Sequence, residues 1–237
     1  RERIATHYDE MYGVSVAPER VVVTTGSSGG FLLAFLAAFD VDDRVALAAP
    51  GYPAYRNILS ALGVAPVVVE TRTEDRFQPT PRILAADAGE LQGLIVASPS
   101  NPTGTMVGEK EMQALTSFAA RHSIRFISDE IYHGITYSHD SVTALAFDEE
   151  AIVINSFSKY FSMTGWRLGW LVVPESMMRS VECLAQNLFI SPPTLSQYAA
   201  LAAFDSHHEL RENVAKYARN RKILLSELPN VGFDRLA

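Results

Sequence analysis

Ala151-Ile152-Val153-Ile154-Asn155-Ser156-Phe157-Ser158-Lys159-Tyr160, with Thr164-Gly165-Trp166-Arg167-Leu168-Gly169 close behind, is the stretch on which the reading of this chain turns. A short apolar run reads as a buried strand, and it delivers a cluster of hydroxyls and one lysine. Lys110, Lys216 and Lys222 sit beside Glu109, Glu111, Arg219 and Arg221 on polar helical faces. Lys159 instead has Ser, Phe, Tyr and Met as its neighbours in the chain. A lysine in a partly apolar pocket without carboxylates nearby loses proton affinity and becomes a nucleophilic amine. That is the condition for a Schiff base with an aldehyde. Ser156, Ser158 and Arg167 add two hydroxyls and a fork of donors, which suit a phosphate dianion. An imine-forming amine beside a phosphate site suggests pyridoxal 5'-phosphate; the bland alternative is a strand-end lysine near a surface ion pair.

Composition narrows the class. A chain of 237 residues can bury a sizeable core and fits one large domain or two small ones. The net charge of -7 argues against nucleic-acid and anionic-membrane partners. It does not exclude an anionic cofactor, which needs only a local basic site. Cys183 is the single cysteine, so no intrachain disulfide forms, and a reducing, cytoplasmic setting is the simple reading. No apolar run approaches membrane-spanning length and no signal peptide opens the sequence. The six histidines are scattered and predict no metal site.

The same alternation of apolar runs and turn residues recurs along the chain. Arg1 to Tyr12 has a helical pattern that ends at Gly13, a C-cap. Val21 to Thr25 reads as a buried strand. Gly26-Ser27-Ser28-Gly29-Gly30 then predicts a turn, and Phe31 onward a buried helix. Strand, Gly/Ser turn and helix N-terminus together make an anion-binding arrangement, although a tight turn that needs small residues explains the run equally well. Val45 to Ala48 is the next strand, and Tyr52 beyond it lies between Pro50 and Pro53. A tyrosine held so stiffly can stack on a flat ring, or simply pack over the turn. A helix to about Leu62 and a strand from Ala65 to Val69 follow, then a polar loop from Thr71 to Pro81. Leu94 to Ala97 is a buried strand whose end carries Asn101 between Pro99 and Pro102, either a fixed hydrogen-bonding amide or a plain turn. Glu109 to His122 is an amphipathic helix. Arg125 to Ser128 delivers Asp129-Glu130-Ile131-Tyr132, an acidic pair suited to a cation or a metal, or to capping a helix. Leu168 to Val173 is a seventh strand, reached by a connection short enough to make it antiparallel to the sixth. The rest reads as helices, about Glu175 to Leu188, Thr194 to Phe204 and His207 to Leu228.

Short apolar strands alternating with helices predict an α/β fold: three layers, with a mainly parallel sheet of about seven strands between helices. Ligands in such sheets bind at the carboxyl ends of strands. Ser27 and Ser28, Tyr52, Asn101, Asp129, and Ser156 to Lys159 each lie at the end of a different strand. Signals that are weak alone therefore converge on one edge.

Together these residues resemble the class I/II aminotransferases, fold-type I enzymes that use pyridoxal 5'-phosphate. The most specific parts are Ser98-Pro-Ser-Asn-Pro-Thr-Gly104, Asp129-Glu-Ile-Tyr132, Ser156-Phe-Ser-Lys159 and Gly165-Trp-Arg167-Leu-Gly169. The resemblance implies that Lys159 holds the cofactor as an internal aldimine and acts as the catalytic residue. It implies further that Asp129 pairs with the pyridine nitrogen, and that Asn101 and Tyr132 bond the phenolic oxygen. Tyr52 would stack on the ring, and Ser27, Ser28, Ser156, Ser158 and Arg167 would hold the phosphate. A carboxylate about 4 Å from a pyridinium gains roughly 4 kcal/mol at an effective dielectric near 20, enough to keep the ring protonated as an electron sink.

The implied reaction moves an amino group between an amino acid and a 2-oxo acid, in a homodimer. Residues 1–237 correspond to the cofactor-binding large domain. The N-terminal segment and the small C-terminal domain of the family, which supplies an arginine for the substrate carboxylate, are not in this sequence. A β-lyase, decarboxylase or synthase of the same fold, or a cofactor-binding regulatory module, would use the same residues.

Overall fold

Runs of β-branched and aliphatic residues bounded by Gly, Pro and Asp become seven strands, none longer than six residues, in the computed structural model, which describes residues 1–86 and 90–233. They are β1 (Val21–Thr24), β2 (Arg44–Ala49), β3 (Ala65–Glu70), β4 (Gly93–Ala97), β5 (Arg125–Asp129), β6 (Ile152–Ser156) and β7 (Gly169–Val172). Their order across one sheet is β1-β7-β6-β5-β4-β2-β3. β3, β2, β4, β5 and β6 pair in parallel, while β7 runs antiparallel to both of its neighbours, β6 and β1. The short connection from β6 to β7 does produce the expected reversal.

The sheet is covered on both faces. α1 (Glu2–Tyr12), α5 (Glu109–Arg121) and α7 (Thr194–Phe204) lie on one side, and α2 (Gly26–Ala38), α3 (Pro53–Ala61) and α6 (Met178–Leu188) on the other. Alternate residues of a strand point to opposite faces. Val153, Trp170 and Val172 accordingly join the first core, and Ile152, Ile154 and Leu171 the second, all six of them with no exposed surface. A strand buried on both sides must be apolar throughout, which is why the central runs show no alternation. The remaining helices are α4 (Pro81–Ala86) and α8 (His207–Glu227). Among the described residues no helix is long and apolar enough to cross a membrane.

Three local expectations change. The Gly26–Gly30 run is not a turn ahead of a helix; α2 begins at Gly26 itself. Gly26 makes the bend out of β1 with φ 78°, a conformation that favours glycine. Gly29 and Gly30 stay helical because the helix packs tightly: a Cβ on Gly29 would lie 2.7 Å from Thr25 Oγ1, and one on Gly30 3.1 Å from Leu171 Cδ2. Contact thus overrides weak helix propensity. Thr71–Pro81, read as loop, contains a 3-10 turn at Thr73–Asp75, and Pro81 opens α4, as a residue without an N–H to satisfy can. Asp129 caps no helix. It ends β5, turns follow, and its Oδ1 accepts a bond from the Ile131 N–H at 3.1 Å.

Candidate active site

The carboxyl ends of β1, β2, β4, β5 and β6 share one edge of the sheet. Because β7 is antiparallel, its amino end reaches that edge too, with Gly169 in register between Thr24 and Ser156. Arg167, two residues earlier, is thereby delivered to the same place. A cleft of about 180 Å³ opens there, lined by Ser27, Ser28, Tyr52, Asn101, Asp129, Tyr132, Ser158, Lys159 and Arg167, with Phe31, Tyr55 and Thr164 among the others.

One end of the cleft is cationic and rich in donors. Ser27 and Ser28 occupy the first turn of α2, where backbone N–H groups lack helical partners and the helix dipole is positive. The Arg167 guanidinium lies against Gly26, where a Cβ would come within 2.6 Å of Nη2. Arg167 itself holds a left-handed backbone (φ 50°, ψ 55°), which costs a residue with a side chain about 1–2 kcal/mol. Its Nη1 donates to the Thr164 carbonyl at 2.9 Å and makes a long contact, 3.5 Å, with Ser158 Oγ. Thr164 Oγ1 in turn donates to the Ser158 carbonyl at 2.6 Å.

Ser156 does not line the cleft. It is buried behind Ser158, with Oγ 2.9 Å from Ser158 Oγ, 3.0 Å from the Leu168 carbonyl it donates to, and accepting from the Ser158 N–H at 3.1 Å. The strand pleat turns its side chain away from the opening, so it braces Ser158.

The other end is anionic. Asp129 is 4 % exposed; Ile131 N–H donates to Oδ1 and the Tyr55 hydroxyl to Oδ2. Burial raises its pKa to about 6, opposed by the Tyr55 and Ile131 donors and by the charge of Lys159. Lys159 is half-buried, with Nζ 5.3 Å from the centre of the Tyr132 ring. The expectation that no carboxylate lies near this lysine therefore fails. Its chain neighbours carry none, but β5 runs beside β6 and brings Asp129 within electrostatic range. Tyr52 stands partly exposed at the mouth, edge-on to Tyr55 at 5.4 Å between ring centres.

The sequence profile of aminotransferase class I and II matches residues 1–237. A valine–pyruvate aminotransferase of Mycobacterium tuberculosis is 52% identical over 241 aligned residues, covering 100% of this chain. The chain belongs to the aminotransferase class I and II family. A solved aminotransferase from M. tuberculosis superimposes on 99% of the chain with a TM-score of 0.96 at 51% identity. The Thermus thermophilus aspartate aminotransferase with maleate covers 99% with 0.93 at 29%. The chain spans 62% of the length of the M. tuberculosis relative and 63% of the Thermus structure.

Enzymes of this aminotransferase family use pyridoxal 5'-phosphate, and the donor set suits such a group. Hydroxyls, a helix N-terminus and a guanidinium at one end match a phosphate. A buried carboxylate at the other matches a protonated ring nitrogen, and the primary amine of Lys159 lines the same cleft. Reading the sequence missed Tyr55 and Thr164. Tyr55 follows Tyr52 by three residues, but its reach to Asp129, 74 positions on, has no local signature. Glu130, the neighbour of Asp129, points away from the cleft: its Oε1 accepts from Ser128 Oγ, Thr143 Oγ1 and the Ala144 N–H.

Proposed function

We propose that residues 1–237 form the cofactor-binding large domain of a cytoplasmic, pyridoxal 5'-phosphate-dependent aminotransferase that moves an amino group between an amino acid and a 2-oxo acid. The observation that carries this reading is the single cleft that gathers Lys159, Asp129 and Arg167 from three different connections. When bound, the cofactor supplies an electrophilic aldehyde carbon and an electron sink. Lys159 is the residue that attaches it and moves a proton at Nζ. Asp129 holds negative charge for the ring nitrogen, Asn101 and Tyr132 donate toward the phenolic oxygen, and Tyr52 covers a ring face. Ser27, Ser28, Ser158 and Arg167 hold the phosphate, and Ser156 fixes Ser158. The likeness to a relative named valine–pyruvate aminotransferase makes valine with pyruvate the first substrate pair to assay.

The same reading includes a homodimer. α7 packs Ala200 and Phe204 inward and leaves Leu195 79 %, Tyr198 70 % and Leu201 51 % exposed. An outward apolar face of this kind supports association with a second copy.

The decisive experiment is borohydride reduction of the complete polypeptide with pyridoxal 5'-phosphate, followed by peptide mapping. A visible absorption band should convert to a reduced adduct on Lys159, and K159A should give none. A folded, full-length protein without an adduct at Lys159 would overturn the assignment.

A further inference from the structure

Tyr55 is 5 % exposed, and its hydroxyl donates to Asp129 Oδ2. The ring is locked by its neighbours, 5.0 Å between centres from Phe31 and 5.4 Å from Tyr52. α3 carries it: Pro53 sets the entry to the helix, and Tyr55 faces the sheet with Leu59 one turn on. Burial and the nearby Asp129 charge push the phenol pKa well above its ordinary value of 10.0, so Tyr55 remains a donor at neutral pH. Asp129 therefore has one donor on each oxygen, Ile131 N–H on Oδ1 and Tyr55 O–H on Oδ2. Two donors fix the plane of a carboxylate and favour its ionised form against the burial that opposes it.

We propose that Tyr55 is a positioning residue that holds the Asp129 carboxylate ionised and oriented for the cofactor's ring nitrogen. The inference rests on the reading of the cleft as a pyridoxal 5'-phosphate site. A carboxylate on a torsionally free side chain that spends part of its time protonated pairs poorly with a pyridinium. The hydroxyl of Tyr55 acts on both faults through its bond to Asp129 Oδ2.

The test separates action through the ring nitrogen from packing. The apoprotein and its Y55F variant are titrated with pyridoxal 5'-phosphate and with the carbocyclic analogue in which C–H replaces the ring nitrogen. Both ligands carry the same aldehyde and phosphate. Loss of a hydrogen bond to a charged group should weaken the natural cofactor about tenfold or more, and the analogue by less than about threefold. Equal losses for the two ligands would overturn the proposal and make Tyr55 a packing residue. Failure of the native apoprotein to bind either ligand would instead remove the underlying reading of the cleft.

Circular dichroism establishes whether Y55F is folded. Should it not be, proton NMR of the native apoprotein asks the same question. The Tyr55 hydroxyl proton should appear as a slowly exchanging downfield resonance that is lost in D129N. Its absence from the native spectrum would overturn the proposal.

Discussion

Two adjacent carboxyls, Asp129 and Glu130, show how much a single residue's surroundings decide. Both are buried, yet they point opposite ways. Asp129 faces the cleft, whereas Glu130 lies among Ser128, Thr143 and Ala144, with Oε2 3.5 Å from His133 Nδ1. The three bonds to Oε1 lower its pKa, but desolvation outweighs them and raises it to about 8. Glu130 is then neutral at pH 7. A carboxyl whose pKa is higher folded than unfolded contributes stability at low pH, and that contribution is lost as pH rises. The window here runs from about 4.5 to about 8. E130Q, which does not titrate, should therefore match the wild type below pH 4.5 and gain on it up to pH 8. Beyond that the advantage levels off at a few kcal/mol. Urea unfolding at a series of pH values checks this, and a pH-independent difference would contradict it. The same spacing of residues gave no warning at the sequence level. Neighbours in a strand alternate faces, but the solvation of each face depends on what packs there. Lys159 was legible because its chemistry and its local chain agree. Tyr55 was not, because its partner is distant in sequence.

At the level of elements, β7 assembles the cationic, donor-rich end of the cleft. Its antiparallel course puts Gly169 at the shared edge and Arg167 just beyond it. A Cβ at Gly169 would meet Asn155 O at 2.8 Å, Gly26 C at 2.9 Å and Ser27 N at 3.0 Å. All three are backbone atoms, so none can swing aside. G169A should push β1 and β6 apart at this edge, costing about 1–3 kcal/mol. It should also displace the first turn of α2 and weaken pyridoxal 5'-phosphate binding by tenfold or more. Chemical denaturation and cofactor titration read the two effects, and a variant normal in both would show that the edge tolerates the methyl. The strands, the outer helices and the reversal of β7 were legible from apolar runs and connection length. The start of α2 at Gly26 was not, because glycine and serine are weak helix formers whose helical state here comes from packing against Thr25 and Leu171. α4 shares only Pro81 with the polar segment read as loop, and its six residues are too short a run to show a helical period.

For the molecule as a whole, α7 is one of the elements that leaves large apolar side chains outside the two cores: Leu195 and Tyr198 project outward. Burying each large apolar side chain stabilises an association by about 1.5–3 kcal/mol. The L195D/Y198D double variant should therefore sediment as a monomer where the wild type sediments as a dimer. A wild type that is monomeric at micromolar concentration would remove the dimer from the proposal.

Fold class and the chain order of the candidate residues could be read from sequence alone. Strand burial, turn chemistry and helix patterns are local properties, encoded within a few residues. That Ser156 braces Ser158 and stands outside the cleft, that Asp129 approaches Lys159, and that the Tyr55 hydroxyl bonds Asp129 emerged only from the packed molecule. Each of these depends on strand register and on packing between elements far apart in the chain, which no local pattern carries.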